Sequence, residues 1–187
     1  SQHENLFVVI SAMGKTTNAL EVVLEYFTKG NKSSSLEKLH EIELYHLDII
    51  VELFKSPFNG KIAIEALLDE MKAFIRDEYC DDYDKCYDKL VSYGELLSTK
   101  IISAYLEESG IPNQWLDMRK ILVTDSNFRE ANVRMAESQV KMAEAADYSK
   151  NRIYIGQGFI GSNMKGNPTT LGREGSDYTA AVVGNLL

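Results

Sequence analysis

Apolar positions along the chain follow two rhythms. Leu6-Phe7-Val8-Val9-Ile10 is a continuous apolar run, followed by Ser11-Ala12-Met13-Gly14. Such a run predicts a strand buried on both faces, as in a parallel sheet. After the polar loop Lys15-Thr16-Thr17-Asn18, the stretch Ala19 to Phe27 predicts a helix with Thr16 or Thr17 as its N-cap. Strand, polar loop and helix make the first half of a βαβ unit. From Leu36 to about Ser109 the rhythm is helical. Leu39, Ile42, Leu47, Ile50, Leu53 and Phe54 recur at three and four, and so do Ile64, Leu67, Leu68, Met71, Phe74 and Ile75. Pro57-Phe58-Asn59-Gly60 interrupts this region once, and Cys80 to Asp84 predicts a second break. A third helix is predicted from about Tyr83 to Glu108, stopped by Ser109-Gly110-Ile111-Pro112.

Beyond Pro112 short extended runs alternate with helical ones. Gln114 to Asp117 and Ile121 to Thr124 read as strands, Glu130 to about Asp147 as a helix, and Arg152 to Gly161 as one glycine-interrupted strand. A turn follows at Asn163 to Asn167, and Tyr178 to Leu187 starts an apolar helix. This alternation predicts an α/β sheet with helices on its faces.

Composition narrows the class. A chain of 187 residues, 44% hydrophobic and 26% charged, is of single-domain size and globular. The net charge of −8 argues against a broad nucleic-acid surface, though not against a small anionic ligand. No apolar run approaches the roughly 20 residues of a membrane span. The opening Ser1-Gln2-His3-Glu4-Asn5 lacks the basic start of a signal peptide, so a cytoplasmic location is expected. Cys80 and Cys86 are six apart, which is not a whole number of helical turns, and are expected as free thiols. His40 and His46 have no cysteine partners at ligand spacing, so no metal site is expected.

Three stretches carry candidate chemistry. In Thr169-Thr170-Leu171-Gly172-Arg173-Glu174-Gly175-Ser176-Asp177-Tyr178, two glycines flank an arginine just before a helix. Gly172 and Gly175 let the backbone approach a ligand, Arg173 offers a planar fork for a carboxylate or phosphate, and Ser176 or Asp177 is expected to cap the helix. The plainer reading is a glycine turn with a capped helix and a surface arginine. In Ser92-Tyr93-Gly94-Glu95-Leu96-Leu97-Ser98, Gly94 either opens space for a ligand amine to meet Glu95 or marks a close helix contact beside a solvated glutamate. In Ser11 to Thr17, Gly14-Lys15-Thr16 imitates the end of a P-loop, but Val9 stands where that motif needs its first glycine. What remains there is a set of hydroxyls, Ser11, Thr16 and Thr17, at the carboxyl edge of a parallel strand. Trp115 reads as core or rim, and the acidic run from Glu78 to Asp88 as a solvated helical face.

These stretches, together with Gln157-Gly158-Phe159-Ile160-Gly161 and Trp115-Leu116-Asp117, resemble in order the catalytic domain of aspartokinases, and look closest to the single-function, lysine-sensitive type. The resemblance implies a three-layer α/β/α sandwich with a mostly parallel sheet and a helical subdomain at about 36–109. Residues 1–187 would form the aspartate-binding portion of an amino acid kinase catalytic domain. It implies transfer of the γ-phosphoryl of ATP to the side-chain carboxylate of L-aspartate, the first step of lysine, threonine and methionine biosynthesis. Asp177 matches the family's catalytic aspartate, Arg173 the residue holding an aspartate carboxylate, and Glu95 the receiver of the α-ammonium. Ser11, Thr17 and Ser176 match substrate-loop hydroxyls; Gly175 belongs to the same substrate loop, and Gly172 lies near the phosphate.

The family's opening Lys-Phe-Gly-Gly strand-loop and its nucleotide-binding half fall outside this chain. ATP with Mg2+ is therefore expected only in the complete enzyme, with none bound to this chain alone. The chain by itself is expected to be inactive and to form a homo-oligomer, with no nucleic acid and no membrane as partner. The alternatives are another amino acid kinase acting on a different acid, and a fragment that only binds aspartate or associates with itself.

Overall fold

The computed structural model describes residues 5–172 and 174–187. Strand β1 (Leu6–Ile10) leads into α1 (Thr16–Thr28), then four more helices: α2 (Lys32–Leu53), α3 (Pro57–Asp77), α4 (Tyr83–Val91) and α5 (Tyr93–Glu108). Strands β2 (Gln114–Trp115) and β3 (Val123–Thr124), helix α6 (Met135–Ala145), strands β4 (Ile153–Gln157), β5 (Ile160–Asn163) and β6 (Pro168–Thr170), and helix α7 (Gly175–Leu186) complete it. The architecture is α/β and mostly parallel, as the alternation of elements predicts. β4 is flanked by β1 and β2, both parallel to it, with Val8 and Trp115 level with Ile155. β5 pairs parallel with β3 and antiparallel with β6.

The stretch read as one strand, 152–161, is two. Phe159 takes φ +68°, and the Gly158 N–H donates to Ile10 O at 2.9 Å, so the chain turns out of one sheet and enters the other at Ile160. The predicted third helix likewise divides at Ser92, whose hydroxyl donates to Lys89 O at 2.9 Å. Helix starts also shift. Lys15, not a threonine, precedes α1, and the Thr16 hydroxyl donates back to Met13 O at 2.6 Å. Helix α7 begins at Gly175 behind Glu174 in a left-handed conformation, so Ser176 and Asp177 lie in its first turn rather than capping it.

In the helical insert α2 and α3 each pack on one stripe, whereas α5 is buried on all sides over residues 93–99. Leu39, Ile50, Ile64, Met71, Ile75, Leu90, Leu96, Leu97 and Ile101 are all buried in a core shared with Leu20 and Leu24 of α1. Each such side chain contributes roughly 1.5–3 kcal/mol. Asn31 accepts from Ser34 N–H at the start of α2, Pro57 occupies the first turn of α3, and Asp82 accepts from Lys85 N–H at the start of α4. Cys80 and Cys86 are disulfide-bonded, not free, with Cα atoms 6.1 Å apart. Helical spacing does not apply to them, because α3 ends at Asp77 and Cys80 lies in the loop before α4. The acidic run is not all solvated either, since Asp88 is fully buried. Among the described residues no helix is long and apolar enough to cross a membrane.

Candidate active site

The carboxyl end of β1 meets α5 and the start of α7 around a cavity of about 350 Å³. Close packing of α5 makes one wall. A Cβ on Gly94 would lie 3.0 Å from the Ala12 Cβ, so the helix rests closely against the loop after β1 and a side chain there would press on Ala12. The Ser98 hydroxyl donates to Ser11 O at 2.7 Å, which ties the same two elements. Gly94 is thus the close contact of the plainer reading, and that contact brings Glu95 inside. Glu95 is 3% exposed and lines the cavity. Its Oε1 accepts from the Ala12 N–H at 3.3 Å, and its Oε2 has no partner among the described residues. Burial pushes its carboxyl up to about 7, against the lowering effect of its backbone hydrogen bonds.

The opposite wall is the turn into α7. The Ser11 hydroxyl donates to the Ser176 hydroxyl at 2.8 Å, joining residues from the two ends of the chain. A Cβ on Gly158 would lie 2.8 Å from the Ser176 Cα, so α7 can approach the β4–β5 turn only over a glycine. The Phe159 N–H donates to the Thr179 hydroxyl at 3.0 Å, which in turn donates to Gly175 O at 2.7 Å. The Tyr178 N–H donates to Glu174 O at 3.1 Å, and Ser176 and Asp177 lie in the first turn of α7, where amide N–H groups point out of the helix start. Free amides at a helix start favour an anion.

Backbone strain gathers here. Arg129, Phe159 and Glu174 are the non-glycine residues with positive φ among those described, at +67°, +68° and +56°. Phe159 and Glu174 line this cavity. Arg129 lines an adjoining one of about 540 Å³, which shares Phe159 and Gly172 with it. Each such conformation costs of order 1 kcal/mol and persists where its surroundings over-determine it, commonly at functional sites.

Ser11, Thr17, Glu95, Gly172, Gly175, Ser176 and Asp177 all face this one cavity. Arg173 lies outside the described residues. Lys15 and Thr16 line a separate pocket with Tyr45. Phe159 and Glu174 were not singled out from sequence. The glycine-flanked Gly158-Phe159 step was the available signal, whereas nothing in Glu174's residue type marks a left-handed turn. Trp115 is a rim residue: its Nε1 donates to the Thr99 hydroxyl at 2.9 Å and Lys100 Nζ lies 3.8 Å from its ring centre. Among the described residues no group of three or more His, Cys, Asp or Glu side chains is placed to hold a metal ion. The cavity thus offers at one wall a carboxyl with one oxygen unpartnered among the described residues, and amides and hydroxyls at the other. That suits a small molecule with a cationic and an anionic end.

The amino acid kinase family model matches residues 1–187. The chain is 33% identical over 181 residues to lysine-sensitive aspartokinase 3 of Escherichia coli, covering 96% of this chain and 39% of that protein. It is 33% identical over 180 residues to the aspartokinase of Chlamydia muridarum, covering 96% and 38%. The crystal structure of E. coli aspartokinase III with lysine and aspartate superposes with a TM-score of 0.85 at 34% identity, over 96% of this chain and 40% of that one. The same enzyme with aspartate and ADP gives 0.84. The chain spans about two fifths of the length of these relatives. Matched along its whole length, it belongs to the amino acid kinase family.

Proposed function

We propose that this chain forms the aspartate-binding part of an aspartokinase. In that reaction a carboxylate oxygen of L-aspartate attacks the γ-phosphorus of ATP. The new O–P bond forms as the bond to the bridging oxygen of ADP breaks, giving 4-phospho-L-aspartate. The observation that carries the reading is Glu95, a buried carboxylate with one oxygen unpartnered among the described residues, in the same cavity as the first turn of α7. A buried anion without a counter-charge is costly, and a ligand ammonium would relieve that cost.

In this reading Glu95 receives the α-ammonium and Arg173 a substrate carboxylate, so the opposite charges fix the ligand's orientation. Ser11, Thr17 and Ser176 supply hydroxyl contacts, and Gly175 leaves room for the substrate backbone. Gly172 and the α7 amides lie toward the phosphoryl group, and Asp177 orders the basic groups around it. Such charge stabilisation of a transferring phosphoryl group supplies much of catalysis in phosphoryl transfer. ATP arrives with Mg2+ and is handled by the complete enzyme.

Calorimetric titration tests the reading. L-Aspartate is expected to bind, and succinate, which lacks the ammonium, to bind about tenfold more weakly or worse. Equal binding of the two, or no binding of L-aspartate, would refute it.

A further inference from the structure

Asp88 stands on α4 of the helical insert and has no part in the reading above. It is fully buried. Its Oδ1 accepts from the Thr170 hydroxyl at 2.7 Å, and its Oδ2 from the Thr170 N–H at 3.0 Å. Both oxygens accept from the Arg129 N–H, at 3.1 and 2.9 Å. Two of the three donors are backbone amides on segments 41 and 82 residues away, so one carboxylate joins three separate pieces of the chain.

Those pieces wall the adjoining cavity of about 540 Å³, which shares Phe159 and Gly172 with the site. Arg129 is one of the three strained residues, and Asp88 holds its amide. Thr170 ends β6, two residues before Gly172. Its carbonyl accepts from Ala131 N–H at 2.9 Å, and the next residue, Leu171, donates to Phe159 O at 2.9 Å. A Cβ on Gly172 would lie 3.4 Å from Arg129 O, so the Arg129 loop rests directly on the glycine. A carboxylate is suited to this place because it accepts on both oxygens, and no uncharged side chain of its size can do so. A staple serving only the core would need neither a strained partner nor a strand running straight into the site.

We infer that Asp88 is a positioning residue that, through Arg129 and Thr170, sets the place of Gly172 and the start of α7. Its bearing on substrate rests on the function proposed above; its effect on the backbone does not.

Amide hydrogen exchange of the ligand-free chain separates the two. In Asp88→Ala and in Thr170→Val, the Leu171 and Gly175 amides should exchange about tenfold faster or more, relative to amides of α2 in the same sample. Asp88→Asn, which keeps one accepting oxygen, should show a smaller change of the same pattern. Should Asp88→Ala fail to fold, the other two variants decide the matter. Exchange that rises equally in α2 and at Leu171 and Gly175, or does not rise at all, would overturn the inference and leave Asp88 an ordinary core group. In parallel, L-aspartate affinity should fall about tenfold in Thr170→Val. If the wild-type chain bound no L-aspartate, the proposed function would fail while the exchange result still decided the role of Asp88.

Discussion

In α2 the buried side chains Ser35, Leu39, Ile42, His46 and Ile50 make one stripe, and no described residue from 32 to 108 has positive φ. Where β1, the β4–β5 turn and α7 meet, Phe159 and Glu174 are strained, and Glu95 has an oxygen unpartnered among the described residues. Helix α2 resembles an ordinary core element, with His46 as its buried ring. Its Nδ1 donates to Ile42 O at 2.8 Å, and burial holds the imidazole below its usual value, hence neutral. At the junction, by contrast, Glu95 is a buried carboxyl with one oxygen unpartnered among the described residues, and a ligand ammonium would favour its ionised form. Stability is concentrated in the first region and chemistry in the second, as expected where a rigid scaffold carries a strained site.

The largest expected effect belongs to the insert. Met71→Ala, at a fully buried position, should destabilise the chain by about 2–5 kcal/mol in chemical denaturation. L-Aspartate affinity, measured well below the transition, should stay unchanged; a parallel loss of affinity would erase the distinction between the regions. Glu95→Gln should do the reverse. The Glu95 carboxyl lies at about 7 in the folded chain against its ordinary 4.5. The folded state therefore holds this proton between those pH values and the unfolded state does not. Stability falls as pH rises through that window, with a penalty of about 3 kcal/mol complete above 7 and absent below 4.5. The wild type minus Glu95→Gln difference should show this slope, with the variant the more stable at pH 8 and lacking measurable L-aspartate binding.

That division also explains what the sequence revealed. The insert was readable because period and burial coincide: Leu67, Leu68, Met71, Phe74 and Ile75 face inward at the spacing that marks them as apolar helix. The residues of the cavity were readable from glycine placement and from family resemblance. Their local geometry was not, because it depends on contacts distant in sequence. Gly158 lies under Ser176, and the Gly158 N–H bonds Ile10 O at the break after β4, so that geometry involves partners from both ends of the chain. Asp88 escaped notice because an aspartate among Asp81, Asp82 and Asp84 looks solvated until Arg129 and Thr170 fold onto it. The disulfide was missed because the loop between α3 and α4 changes the direction of Cys80 relative to Cys86.

Smaller effects sharpen the boundary. Gly158→Ala would press on Ser176 and should cost about 1–3 kcal/mol while weakening L-aspartate binding, since it displaces α7 itself. Binding that survives this change would show that α7 can shift without harming the site. Lys15→Ala should change stability by less than about 0.5 kcal/mol and leave binding intact, because Lys15 lines a different pocket. A large loss of affinity would show that Lys15 acts on the site.

The most direct test of Glu95 as the ammonium receiver is calorimetry of L-aspartate at pH 7 in buffers of different ionisation enthalpy. With its carboxyl at about 7, Glu95 is half protonated, and pairing with an ammonium should expel that proton. The expected result is release of about half a proton per ligand bound, rising as pH falls from 7 toward 6. Binding with no proton release, or L-aspartate binding unchanged in Glu95→Gln, would contradict the assignment.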